Sequence, residues 1–90
     1  MLLEKDIERQ CGRAAKARGC LWYKWVSPSQ RGVPDRILIR PNGTVAFVEL
    51  KRPGKHPTKL QAHCIRKLRD QGCEVHVINN VESFKDILDA

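Results

Sequence analysis

The stretch from Asp35 to Lys51 constrains this chain most, because it sets two apolar runs on either side of a turn signal. Arg36-Ile37-Leu38-Ile39-Arg40 and Thr44-Val45-Ala46-Phe47-Val48-Glu49-Leu50-Lys51 flank Pro41-Asn42-Gly43. That is the pattern of a β-hairpin. Strand side chains alternate faces, so Val45, Phe47, Glu49 and Lys51 share one face and Ala46, Val48 and Leu50 share the other. A three-residue loop at 41–43 opposes Arg40 to Thr44 and, further out, Asp35 to Glu49 on one face. Cβ atoms of opposed residues lie roughly 4.5–5.5 Å apart, where like charges destabilise a sheet. Two carboxylates so placed need a compensating positive charge. Lys51 is one source. A divalent cation is the other, and ligands that are all oxygen select Mg²⁺ or Mn²⁺. A two-residue loop would instead set Asp35 against Leu50.

Ninety residues make one domain, spanning 1–90. A chain this short buries about 60–65% of its unfolded surface, enough for one modest core, and dimerisation would help it. Seventeen Lys and Arg against ten Asp and Glu give a net charge of +7, which favours a polyanionic partner. No apolar run approaches the ~20 residues of a membrane span. The opening Met1-Leu2-Leu3-Glu4-Lys5-Asp6 is unlike a signal peptide, so no membrane association and a cytoplasmic location are expected. Cys11, Cys20, Cys64 and Cys73 stand singly, without the close pairs of a zinc site. They are expected to be free, small core residues.

Glu4 to Arg18 has Leu3, Ile7, Cys11, Ala14 and Ala15 at helical spacing, with Gly19 to close it. Advancing about 100° per residue places Glu4 and Glu8 one turn apart, both beside the apolar stripe. Glu4 in a first turn is favoured by the helix dipole alone. Glu8 lies deeper and gains less from that field, so its place beside the core suggests a site role. Arg9, Arg13, Lys16 and Arg18 form a basic, solvated side. Cys20 to Val26 reads as a strand rich in aromatics. Its two tryptophans and tyrosine suit a core or an interface, and base stacking is the alternative. Lys24 is a candidate phosphate contact.

Ser27 to Gly32 is a loop before the hairpin, carrying Arg31. Pro34 suits a strand start, since it cannot donate to a sheet. Arg52-Pro53-Gly54-Lys55-His56-Pro57 is a basic loop directly after Lys51. Arg31, Arg36, Arg52 and Lys55, with Lys24, are the candidate DNA contacts, because positive charge beside the carboxylates is what a phosphodiester would require. Thr58 to Gln71 is a second helix, with Thr58 and Gln61 placed for a capping box and Gly72 beyond its end. Cys73 to Ile78 alternates as a strand and follows the hairpin through a helical crossover, which favours parallel pairing. Val81 to Leu88 is a short last helix. The order is α-β-β-β-α-β-α, an α/β fold with a small mixed sheet flanked by helices.

Pro34-Asp35 followed by Glu49-Leu50-Lys51 resembles the signature of the PD-(D/E)XK nucleases. The fuller wording, Arg31-Gly32-Val33-Pro34-Asp35-Arg36 with Phe47-Val48-Glu49-Leu50-Lys51-Arg52-Pro53-Gly54, is similar to the VRR-NUC branch in its compact form from phages and bacteria. The similarity runs from about Glu4 to Leu88. It implies a restriction-endonuclease-like core and a location in a bacterial host cell. It implies a metal-site glutamate on the first helix, and favours Glu8, which lies about three turns before the closing glycine. It also implies that Gln61 lies close to the site. Single-domain members resemble junction resolvases, which implies a homodimer cutting branched DNA such as Holliday junctions.

The expected function is therefore a Mg²⁺-dependent DNA endonuclease, with Mn²⁺ able to substitute. Asp35, Glu49 and the Leu50 carbonyl would bind the ion, Glu8 would complete the shell, and Lys51 would act on the attacking water or the phosphate. A nucleic-acid-binding module without catalysis is the rival reading. Charge and aromatics fit it equally well, but acidic residues repel phosphate unless a cation intervenes.

Overall fold

The Pro41–Gly43 loop turns as its residues require. In the structure, a computed structural model describing residues 2–89, the Gly43 N–H donates to the Arg40 carbonyl at 2.8 Å and the Arg40 N–H to the Thr44 carbonyl at 3.0 Å. The Asn42 Oδ1 accepts from the Thr44 N–H at 3.0 Å and from its hydroxyl at 2.7 Å. Gly43 has φ +85, the left-handed region that glycine enters at no steric cost. This three-residue loop sets the hairpin register between β2 (Arg36–Ile39) and β3 (Val45–Leu50). Arg36 opposes Val48, and Ile37, Leu38 and Ile39 oppose Phe47, Ala46 and Val45. The expected register is the observed one, and its continuation sets Asp35 across from Glu49.

β1 (Leu21–Lys24) pairs antiparallel with β2, and β4 (Glu74–Ile78) pairs parallel with β3. The sheet order is β1-β2-β3-β4, so β1 and β4 are its edges. α1 (Glu4–Ala17), α2 (Lys59–Asp70) and α3 (Val81–Lys85) complete the expected order. α2 is the crossover that makes the β3–β4 pair parallel.

The two faces of the sheet divide as the alternation demands. Leu38, Ala46, Val48, Leu50 and Ile78 pack with Ile7, Cys11 and Ala15 of α1 and with Phe84 and Leu88. Trp22 joins this core edge-on to Phe84, with ring centroids 4.9 Å apart. Covering a face with apolar side chains is the main stabilising term, about 25 cal/mol per Å² removed from water. The second face carries Trp25 against Phe47, also at 4.9 Å, beneath α2. The four cysteines are free, and Cys11, Cys20 and Cys64 are buried, as expected of small core residues.

Two elements are shorter than the spacing predicts. β1 stops at Lys24, and beyond it a single bond from the Trp25 N–H to the Asp35 carbonyl, at 2.8 Å, continues the pairing. α3 stops at Lys85 because Ile87 and Leu88 bond to the carbonyls three residues back, a tighter turn than an α-helix makes. It still delivers Leu88 to the core.

Candidate active site

Pro34 is fully buried and brings the chain into β2 without offering an N–H to the sheet. Asp35 follows, and its Oδ2 accepts the Leu50 N–H at 3.0 Å. That bond ties the first carboxylate to β3. On β3, Glu49 is only 1% exposed. Its Oε2 lies 3.4 Å from Lys51 Nζ, while its Oε1 is buried and has no hydrogen-bond partner. The Lys51 N–H donates to the Ile78 carbonyl at 3.0 Å, which extends the β3–β4 ladder and holds the Lys51 backbone.

Charge in this corner is poorly balanced. Burial, and then the neighbouring Asp35 carboxylate, push Glu49 up to about 7, against the opposing pull of Lys51. Glu4 on α1 is also raised above the usual carboxylate range, by burial and then by Asp35, with Lys51 and Arg52 acting the other way. Glu4, Asp35, Glu49 and Lys51 thus feel one another as a single electrostatic group. An unpaired acceptor in the interior costs about 1–3 kcal/mol, and more when charged. A corner holding one is suited to a cation.

The structure separates the two glutamates of α1. Glu8, the residue favoured from the sequence, forms an ion pair with Arg36. Arg36 also stands over the Trp22 ring, 5.5 Å from its centroid. Glu8 therefore has its charge matched at the edge of the α1–sheet packing, with its side chain 37% exposed, and Glu4 is the helix acid in the field of Asp35. The same pair engages Arg36, one of the expected DNA contacts. Its side chain is 14% exposed and already neutralised, so it ties α1 to β2 and does not reach outward.

Gln61 is largely committed to the start of α2. Its Oε1 accepts the Thr58 N–H at 2.9 Å and its own N–H donates to Thr58 Oγ1 at 3.2 Å, the expected capping box. Lys24, Arg31 and Lys55 are exposed and Arg52 is half-buried. Arg52 and Lys55 line a cleft of about 280 Å³ with Leu2, Pro53 and Gly54, immediately after Lys51.

Among the described residues no group of three or more His, Cys, Asp and Glu side chains forms a metal cluster. A closed, all-protein cage is therefore not what this corner offers. Magnesium does not need one: it keeps several waters and is commonly held by one or two carboxylates plus substrate phosphate. Asp35 and Glu49, with the peptide carbonyl of Leu50 between Glu49 and Lys51, supply a donor set of that kind. The unpartnered Glu49 Oε1 fits it.

Two partly buried ionic features escaped the sequence reading. One is the Glu8–Arg36 pair. The other is Arg40, which is 3% exposed and donates to the Ile87 carbonyl, to Thr44 Oγ1 and to both oxygens of Glu74. A signal for both was present. Arg36 and Arg40 alternate with Leu38, so they share its core-facing side, and a buried guanidinium demands an acid.

The VRR-NUC domain model matches residues 4–82. "Putative nuclease p44" of Acyrthosiphon pisum secondary endosymbiont phage 1 is 38% identical over 90 residues, covering all of this chain and 96% of that protein. A solved VRR_NUC domain superposes with a TM-score of 0.86 at 24% identity, over 96% of this chain and 94% of that one, which bears out the fold. With its hairpin register, its buried Glu49 beside Asp35 and Lys51, and these matches over nearly the whole length, the chain belongs to the VRR-NUC domain family.

Proposed function

We propose that this chain is a nuclease, and more specifically an endodeoxyribonuclease that depends on a divalent cation, Mg²⁺ or Mn²⁺. Family membership and the phage relative support nuclease activity. The observation that carries the finer reading is the buried Glu49 carboxylate with one oxygen unpartnered, beside Asp35 and Lys51.

Asp35, Glu49 and the Leu50 carbonyl would hold the ion, with Glu4 taking the place on α1 that Glu8 gives up to Arg36. The bound ion supplies Lewis-acid polarisation of the phosphate and acidifies water. Asp35 is kept in position by the Leu50 N–H. Lys51 keeps its ammonium next to Glu49. From there it stabilises negative charge as it grows on the phosphate oxygens during attack, a role worth most where water is scarce. Arg52 and Lys55 bind the flanking phosphates, and Lys24 and Arg31 extend the anionic track. Branched DNA is the proposed substrate and a homodimer the proposed working form, since paired cuts across a junction need two sites at fixed separation.

Incubation with four-way, flap, duplex and single-stranded DNA, with Mg²⁺ or EDTA, tests this reading. Cleavage confined to the Mg²⁺ samples, fastest on branched DNA, is expected. DNA that is shifted but uncut under every metal condition would establish a binding module instead. Sedimentation of the protein alone tests the dimer.

A further inference from the structure

One groove lies outside these assignments. It is a cavity of about 320 Å³ between α2 and the Ser27–Val33 loop, lined chiefly by Trp25, Val33, Cys64 and Leu68, with Gln30, Lys67 and Gln71 at its polar side. That volume is at the lower end of the ~300–1,000 Å³ usual for small-ligand sites. We infer that it receives one unpaired nucleobase of the DNA substrate, stacked on Trp25. The inference deepens the nuclease reading and rests on it.

Register carries the argument. The Trp25 N–H bonds to the Asp35 carbonyl, and the hairpin sets Asp35 across from Glu49. Trp25, Asp35 and Glu49 therefore form one cross-strand row on one face. With strands ~4.8 Å apart, the Trp25 backbone is about 5 Å from that of Asp35 and about 10 Å from that of Glu49. A phosphate held at the two carboxylates leaves the base of an adjoining nucleotide facing this groove. A base stays in the stack when paired, so an unpaired one is what can enter.

The groove has the chemistry for such a guest. Trp25 is half-buried and braced by Phe47 at 4.9 Å, so its ring is fixed before a ligand arrives. The facing wall is fixed too: at Gly32, φ +84, a Cβ would come within 2.9 Å of the Leu60 carbonyl, so the loop is pressed onto the start of α2. Gln30 uses its amide N–H on the Arg31 carbonyl at 3.2 Å, which leaves its side-chain oxygen to accept from a base edge. Lys67 is exposed at the rim, suited to the phosphate of the same nucleotide. The apolar lining with few polar groups suits a flat heteroaromatic ring, and the +7 chain suits the strand that carries it.

The test is a coupling measurement in EDTA, where nothing is cut. Two branched oligonucleotides are compared, identical except that one has an abasic site at the unpaired position. The wild type should bind the base-bearing DNA roughly ten-fold tighter, the worth of a base–aromatic stack. Trp25→Leu should bind the two equally, and so should Gln71→Phe, which fills the mouth from an exposed position and leaves the core untouched. Trp25→Phe keeps a ring and should retain most of the preference. Equal binding of both DNAs by the wild type would overturn the inference. So would a Trp25→Leu variant that keeps the preference, or one that loses self-association while keeping it, which would assign the groove to a second copy of the chain. Cleavage in Mg²⁺ is scored separately: a coupled groove without cleavage sinks only the nuclease reading, and cleavage without coupling sinks only the groove.

Discussion

The two ends of the sheet each bury a charge and treat it in opposite ways. At the end near the hairpin turn, Arg40 is satisfied on every side, by Ile87, Thr44 and a two-pronged contact to Glu74, which His76 also meets at 2.7 Å. At the other end, Glu49 has one oxygen without a partner, an ammonium at 3.4 Å and a second carboxylate close enough to raise its pKa. Both are almost fully enclosed. A buried charge with complete pairing is a structural element; one left short of partners is a candidate for binding something that is not part of the chain.

Substitutions separate the two ends. The largest effect belongs to the open end. Asp35→Ala and Glu49→Gln should each reduce Mg²⁺-dependent cleavage by about a thousand-fold or more, given the several kcal/mol a metal supplies, while DNA still binds. A gel assay of cutting beside one of binding reads this; Glu49→Gln should melt close to the parent, whereas Asp35→Ala, which leaves the buried Leu50 N–H without its acceptor, should melt somewhat earlier. The closed end should do the reverse. Arg40→Met should cost about 2–3 kcal/mol of folding stability, less than a fully buried pair because the Glu74 side chain is 35% exposed, and leave the proposed metal site intact. Urea unfolding measures it.

The ends should also answer pH with opposite signs. An acid with a raised folded pKa keeps its proton when folded at pH values where the unfolded chain has lost it. Glu49, raised from 4.5 to about 7, therefore makes the metal-free protein less stable as pH climbs through that window, by ~3 kcal/mol at most. Glu74 is held below its ordinary 4.5, chiefly by the Arg40 hydrogen bonds. Its contribution is present above pH 4.5 and fades as pH falls through the folded value. Denaturation curves in EDTA should show the Glu49 slope, Glu49→Gln should flatten it, and saturating Mg²⁺ should restore stability at pH 7.5.

The two glutamates of α1 sharpen the same contrast within one helix. Glu4→Gln should weaken Mn²⁺ binding about ten-fold, as supporting groups at metal sites do, with little change in melting temperature. Glu8→Gln should lower the melting temperature by leaving Arg36 unpaired. Calorimetric titration of Mn²⁺ beside thermal melts distinguishes them. Smallest of all, Asp89→Asn removes an exposed pair with Arg18 and should leave stability unchanged, because solvent screens such contacts.

Much of this is legible in the sequence alone. Pro41, Asn42 and Gly43 specify a turn through local bonds, and the turn specifies the register, so Asp35 opposite Glu49 followed from the sequence. Thr58 with Gln61 specified the start of α2 in the same local way. The choice between Glu4 and Glu8 was different. Both flank the apolar stripe, and which one meets Asp35 depends on the angle at which α1 settles onto the sheet.

By itself, then, the chain's sequence determined its element order, its hairpin pairing and the grouping of Asp35, Glu49 and Lys51, because turns, caps and alternation act between residues close in the chain. Only the tertiary structure decided that Arg36 would claim Glu8, that Glu49 would lose nearly all contact with water, and that Trp25 would line a groove. Those outcomes come from packing between distant segments, where burial and charge pairing over the whole core choose among side chains that local rules leave equal.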